Sequence, residues 1–126
     1  MKWLYLISGL LTILIAVAHA IWGEKQIIPD LKKSKLSEIT EAGFYVSYHQ
    51  ITNTLLASGI ALVLAAIIDN IVGNALALFI LIIIIGNISV FIGISLSKYK
   101  SVFGQTVPQI IIYSVIILLI ILGLFF

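Results

Sequence analysis

The chain has 126 residues, 62% hydrophobic and 10% charged, with a mean hydropathy of +1.26; a water-soluble domain of this size cannot bury that much apolar surface, so the excess faces lipid. Net charge is +2, carried by lysine with no arginine, which leaves no electrostatic footprint for nucleic acid. The absence of cysteine excludes disulfides, thiolate metal sites and thiol catalysis.

Residues 3–23 carry no charge, and 21 residues of this kind match the ~20 that cross a bilayer as a helix. Lys2, the apolar run and Ala18-His19-Ala20 also fit the outline of a cleavable signal peptide, but the run is longer than a usual signal core, so retention as the first span is expected. Ser8, Thr12, Ala16 and Ala20 recur every fourth residue and form a stripe that lets a neighbouring helix approach closely. Tyr5, Ser8, Thr12, Ile15 and His19 share an overlapping face, which turns His19 towards the bundle. Trp22 stands where an interfacial aromatic belongs.

Residues 24–41 form the one long polar segment and read as a solvated loop, with Pro29-Asp30 as a turn or helix start. Ser37 is placed to cap a second helix whose first turn carries Glu38 and Glu41, complementing the helix dipole. The uncharged run 42–68 follows, polar in its first half (Tyr45, Ser47, Tyr48, His49, Gln50, Thr52, Asn53, Thr54) and hydrocarbon in its second. Asp69-Asn70 and Gly73-Asn74 mark a tight turn. The run 70–97 reverses that order: pure hydrocarbon first, then Gly86, Asn87, Ser89, Gly93, Ser95 and Ser97. Gly86, Ser89 or Val90, Gly93 and Ser97 make a second small-residue face suited to close packing. In the last run Pro108 suits the first turn of a helix, and Gln109 and Tyr113 share a face.

The expectation is a single all-α domain, a four-helix transmembrane bundle of up-and-down topology, with spans at about 3–23, 43–68, 71–97 and 107–126. That topology gathers His19, Tyr45, His49, Gln50, Asn53, Asn87, Ser89 and Gln109 on one side, while the other half reads as hydrocarbon. Polar groups in lipid are costly unless paired, so a shared network is expected. Six lysines on the side of the loop and Lys98-Lys100, against Lys2 on the other, place both termini outside a cell membrane by the positive-inside rule.

His19 and His49 fall at similar depth, within about one or two turns of each other. Facing histidines on antiparallel helices suit a divalent metal or the two axial positions of a haem b. Glu24 is the nearest third metal ligand, although five residues from His19 it lies off the same α-helical face. Two histidines make a thin ligand set, and a bonding role within the bundle is the plainer alternative. No carboxylate lies inside a span to relay protons, and no phosphate loop or dinucleotide fingerprint is present.

The order Ala18-His19-x-x-Trp22-Gly23-Glu24, Ile28-Pro29-x-Leu31, Tyr48-His49-x-x-Thr52 and Pro108 before a last apolar span resembles an uncharacterised group of small four-helix bacterial membrane proteins. That group's pattern is His-x-x-x-Gly-Glu, a Pro-Leu loop and Trp-His. This chain matches at His19, Gly23, Glu24 and His49, and departs with Tyr48 for Trp and one extra residue between Pro29 and Leu31. The resemblance implies a shared site around His19, Glu24 and His49, and no known activity. Three readings stay open. The first is an accessory subunit that binds other membrane subunits or its own copies. The second is a haem- or metal-binding redox protein with His19 and His49 as ligands. The third is a small-solute transporter.

Overall fold

In the computed structural model, which describes residues 2–126 (residue 102 without its side chain), nearly all of the chain is helical. Helix α1 (Trp3–Trp22) runs into a π turn (Gly23–Ile27) and then into the short α2 (Ile28–Lys33). A connector at 34–37 leads to α3 (Glu38–Ile68), and Asp69 and Asn70 lead to α4 (Ile71–Lys98). Tyr99 alone separates α4 from α5 (Lys100–Phe125). Four segments are long and apolar enough to cross a membrane, the first being the continuous rod from α1 to α2. Helix α1 packs on α3 and α5, and α4 packs on the same two. Consecutive spans are therefore neighbours, as an up-and-down bundle requires.

Close approach of α1 and α3 sets the bundle. A Cβ added at Gly9 would stand 2.8 Å from the Gly59 carbonyl oxygen, and one added at Gly59 the same distance from that of Gly9. The backbones touch because neither residue has a side chain. Ser8, Thr12 and Ala16 of the expected stripe are buried beside this contact. The Ser8 hydroxyl donates to the Tyr5 carbonyl (2.9 Å) and that of Thr12 to the Ser8 carbonyl (2.7 Å), so burial leaves no polar atom unpaired.

The core is concentrated towards the chain termini, around Tyr5, Leu62, Ala65, Ala77, Ile80, Ile116 and Ile120. Towards the connector it thins. In α3 nothing before Leu55 is buried, in α4 only Ser95 is buried beyond Ile84, and in α5 no described side chain before Tyr113 is.

The terminal end is tied by a polar knot in a half that reads in sequence as hydrocarbon. The Lys2 ammonium donates to Asn74 Oδ1 (2.8 Å) and to the Gly123 carbonyl (2.9 Å), and its backbone N–H to the Ala66 carbonyl (3.1 Å). The Tyr5 hydroxyl donates to the same Asn74 oxygen at 3.0 Å. One lysine thus joins the ends of α3, α4 and α5, and the Tyr5 ring lies where a Cβ on Gly123 would stand. Asn70 caps α4, its Oδ1 accepting from the N–H groups of Val72 (2.8 Å) and Gly73 (3.3 Å).

Three local expectations change. The segment 24–33 is helical, and the break is confined to 34–37. Pro29 cannot donate to the carbonyl four residues back. The wide turn just before it takes up that fault: the Ile28 N–H reaches the Gly23 carbonyl, five residues back, and the helix resumes. Pro108 lies inside α5, not in its first turn, because the helix starts at Lys100. Finally, Cβ atoms added at Gly86 or Gly93 would meet nothing within 4 Å, so that small-residue face of α4 points out of the bundle.

Candidate functional site

The cluster at the connector end is built from two helices. On α3, Tyr45, Tyr48, His49 and Thr52 fall at i, i+3, i+4 and i+7 and so share the face turned to α1. On the facing rod, His19 lies in the last turn of α1 and Glu24 sits in the π turn. A π turn closes over five residues, so Glu24 still reaches α3 although a straight α-helix would turn it away.

Tyr48 is the hub. Its ring stacks on His19, with centroids 4.2 Å apart and planes 12° from parallel. It meets His49 edge-on at 6.0 Å and 83°. Its hydroxyl donates to the His19 carbonyl at 2.7 Å. The ring is admitted because residue 23 is glycine: a Cβ there would overlap Tyr48 itself. Stacking and one hydrogen bond each contribute about 1 kcal/mol.

The two histidines have different partners. His19 Nδ1 lies 2.8 Å from Thr52 Oγ1. Thr52 Oγ1 also lies 3.3 Å from the Tyr48 carbonyl oxygen, and the direction of its bond with His19 follows the imidazole tautomer. His49 Nε2 donates to Glu24 Oε1 at 2.9 Å, and the Tyr45 hydroxyl donates to the same oxygen at 3.0 Å. Tyr45 also meets the His49 ring edge-on at 4.6 Å. This outer part is open, the Glu24 side chain being 49% exposed and that of His49 37%.

The other polar residues disperse. Gln50, Asn53 and Thr54 are exposed and, with Val46, Tyr45 and His49, line a broad recess on the outer side of α3. Asn87 and Ser89 are exposed on α4, and no hydrogen bond joins Asn53 to Asn87 among the described residues. Gln109 is half-buried on α5 and shares a separate groove with His19. The single network expected from topology is therefore three separate features: the cluster, an outward polar face and a groove.

As a metal centre the arrangement is poor. Among the described residues no three His, Cys, Asp or Glu side chains stand together as ligands. Glu24 binds His49 and Tyr45, His19 turns Nδ1 to Thr52, and the Tyr48 ring contacts both imidazoles. Tyr48, Thr52 and Gly23 join the cluster from outside the expected ligand set. The i, i+3, i+4, i+7 spacing of Tyr45, Tyr48, His49 and Thr52 is the sequence signal for two of them.

No family model matches the chain, and no similar curated protein or solved structure was found. Residues that carry the resemblance to the small four-helix group nevertheless meet in space: His19, Gly23 and His49 all contact or face Tyr48, and Glu24 binds His49.

Proposed function

We propose that this four-span membrane protein is a partner-binding subunit of a larger membrane assembly, docking through the outer faces of α3 and α4. The exposure of Asn53 and Asn87 within the uncharged stretches carries this reading. Asn53 stands midway between Glu38 and Ile68 on α3, and Asn87 lies well inside the uncharged stretch of α4. Lipid tails offer a side-chain amide no hydrogen-bond partner, and polar side chains in spans nearly always face protein or water. Gln50 extends the polar face on α3. Around Asn87, the open space at Gly86 and Gly93 lets another helix come close.

The test is the size of the protein extracted in mild detergent from its own membrane. The wild type is expected to run as a complex of fixed stoichiometry, well above the 13.8 kDa chain. Asn53→Leu combined with Asn87→Leu is expected to run as a monomer with its helix content unchanged. A wild type that is monomeric both in detergent and by crosslinking in the intact membrane would overturn the reading.

We further propose that both termini face outward across the cell membrane. Lys2 is drawn into the bundle, and the six other lysines stand on the connector side, which supports placing that side in the cytoplasm. Terminal tags reactive on intact cells are the expected result; tags protected at both ends would reverse the orientation.

A further inference from the structure

Helix α3 packs on α1 and α4, and the face it turns away from both is uncovered. Positions four and three apart recur on one side of a helix. On this side of α3 they run Val46, Gln50, Asn53, Ala57, Ile60 and Leu64, all exposed. Neither amide has a hydrogen-bond partner among the described residues, whereas the Thr54 hydroxyl beside them donates to the Gln50 carbonyl at 2.9 Å.

The central amide lies at a defined level. Asn53 stands about 23 Å along α3 from its Ile68 end, and Asn87 about 24 Å along α4 from Ile71, at 1.5 Å per residue. The two helices are antiparallel neighbours joined at 69–70, so both exposed amides fall at one depth, inside a hydrocarbon layer ~30 Å thick. Whatever covers them must bring donors and acceptors to that level. A second copy inserted the same way does so with no further requirement, because a two-fold axis along the membrane normal keeps every residue at its own depth. On that axis each α3 side chain meets its own counterpart. A primary amide suits the position: it has donors and an acceptor, so two of them can exchange N–H···O bonds. An ammonium or a carboxylate there would repel its copy, and α3 holds none from Ala42 to Ile68. Ala57, one turn further on, is small enough for two helices to close on the pair.

Resting on the partner-binding reading above, we infer that the partner is a second copy of this chain, held α3 to α3 in parallel, with Asn53 bonding to the second copy's Asn53 across the axis. Gln50 meets its counterpart one turn towards the connector, and Ile60 and Leu64 supply apolar contact on the other side. A single amide at the seam of paired helices fixes their register and number, and here it fixes a dimer.

The experiment is a single-cysteine scan of the full chain in the intact membrane under a mild oxidant. The chain has no cysteine of its own, so a disulfide-linked dimer reports two copies of the introduced residue meeting. Val46→Cys, Gln50→Cys, Ala57→Cys, Ile60→Cys and Leu64→Cys test the seam, and the exposed Ile111→Cys and Leu118→Cys on α5 are the controls. Dimer is expected at the seam positions and not at the controls. In the Ile60→Cys background, Asn53→Leu is expected to lower the dimer yield about threefold to tenfold, the usual worth of amide bonds between membrane helices. Asn53→Gln, which can still bond to its own copy, is expected to restore most of it. Equal yields at seam and control positions would mean random collision and overturn the inference, as would a yield that Asn53→Leu leaves unchanged. A chain that gives no seam dimer yet runs in a complex with other proteins would overturn the second copy and leave the partner-binding reading standing. A chain that gives neither would overturn both.

Discussion

At the terminal end Lys2, Tyr5 and Asn74 face inward and satisfy one another, and the Tyr5 ring is completely buried over Gly123. At the connector end Tyr48 lies over Gly23 in the same way, but around it Glu24 and His49 are open. Both ends therefore use an aromatic ring seated on a glycine to lock two helices together. The difference is in what is left over. The terminal knot turns its polar groups on one another and serves packing. The connector end retains an exposed carboxylate and an outward amide face, in the half of the bundle where the core is thin. Regions that bind tend to come from the less stable parts of a fold, and this molecule separates its stabilising end from its unfinished one.

The comparison predicts unequal costs for equal insults. Gly123→Leu drives a side chain into a Tyr5 ring that has nowhere to go, and overpacking of that kind is expected to cost about 3 kcal/mol or more. Gly23→Leu displaces Tyr48, which is only half-buried and can swing outward; losing its stack and hydrogen bond is expected to cost about 2 kcal/mol. Reversible unfolding in mixed detergent micelles measures both. Equal losses would mean that the connector end is packed as tightly as the terminal one.

A second contrast concerns amides. Asn74→Leu takes away the acceptor shared by the Lys2 ammonium and the Tyr5 hydroxyl and is expected to cost about 2–3 kcal/mol, as stranded buried donors do. Asn87→Leu removes an exposed amide and is expected to leave the isolated chain as stable as before, or more so. The same unfolding measurement decides. A large loss at Asn87 would show that its amide is used within the chain, which would remove the main support for a partner there.

Four helices and their order were legible because uncharged runs of this length have few alternatives in a chain this apolar. The stripe Ser8–Thr12–Ala16 was legible because small residues repeat against bulky neighbours. Rotation about each axis was not. Around Gly86 and Gly93, helix α4 is isoleucine-rich on every side, so no apolar face stands out and the glycines could equally turn in or out. Residues 24–33 resemble a loop by charge, yet they are carried as helix through a π turn that the position of Pro29 explains only after the fact. The site was half legible. His19, Glu24, Tyr45 and His49 do converge, but Gln50, Asn53, Asn87 and Ser89 point away, for the same reason of unread rotation. Lys2 looked like an ordinary flanking charge, since its acceptors lie on α3, α4 and α5 and meet it only in three dimensions.

The smallest expected effect tests the openness of the connector cluster most directly. Glu24→Gln keeps an oxygen able to accept from both Tyr45 and His49 and removes only the charge. With the Glu24 side chain 49% exposed and that of His49 37%, even a full ion pair in such a place contributes at most about 1 kcal/mol and usually less. Water and salt already screen it. The variant is therefore expected to unfold within a few tenths of a kcal/mol of the wild type, and what difference remains should shrink as salt is raised. Unfolding at low and high salt, wild type beside variant, measures this. A loss as large as that of Asn74→Leu, undiminished by salt, would place Glu24 and His49 in a dry interior. The two ends would then be alike, and the outer part of the cluster would be one more knot of the core instead of a surface left open.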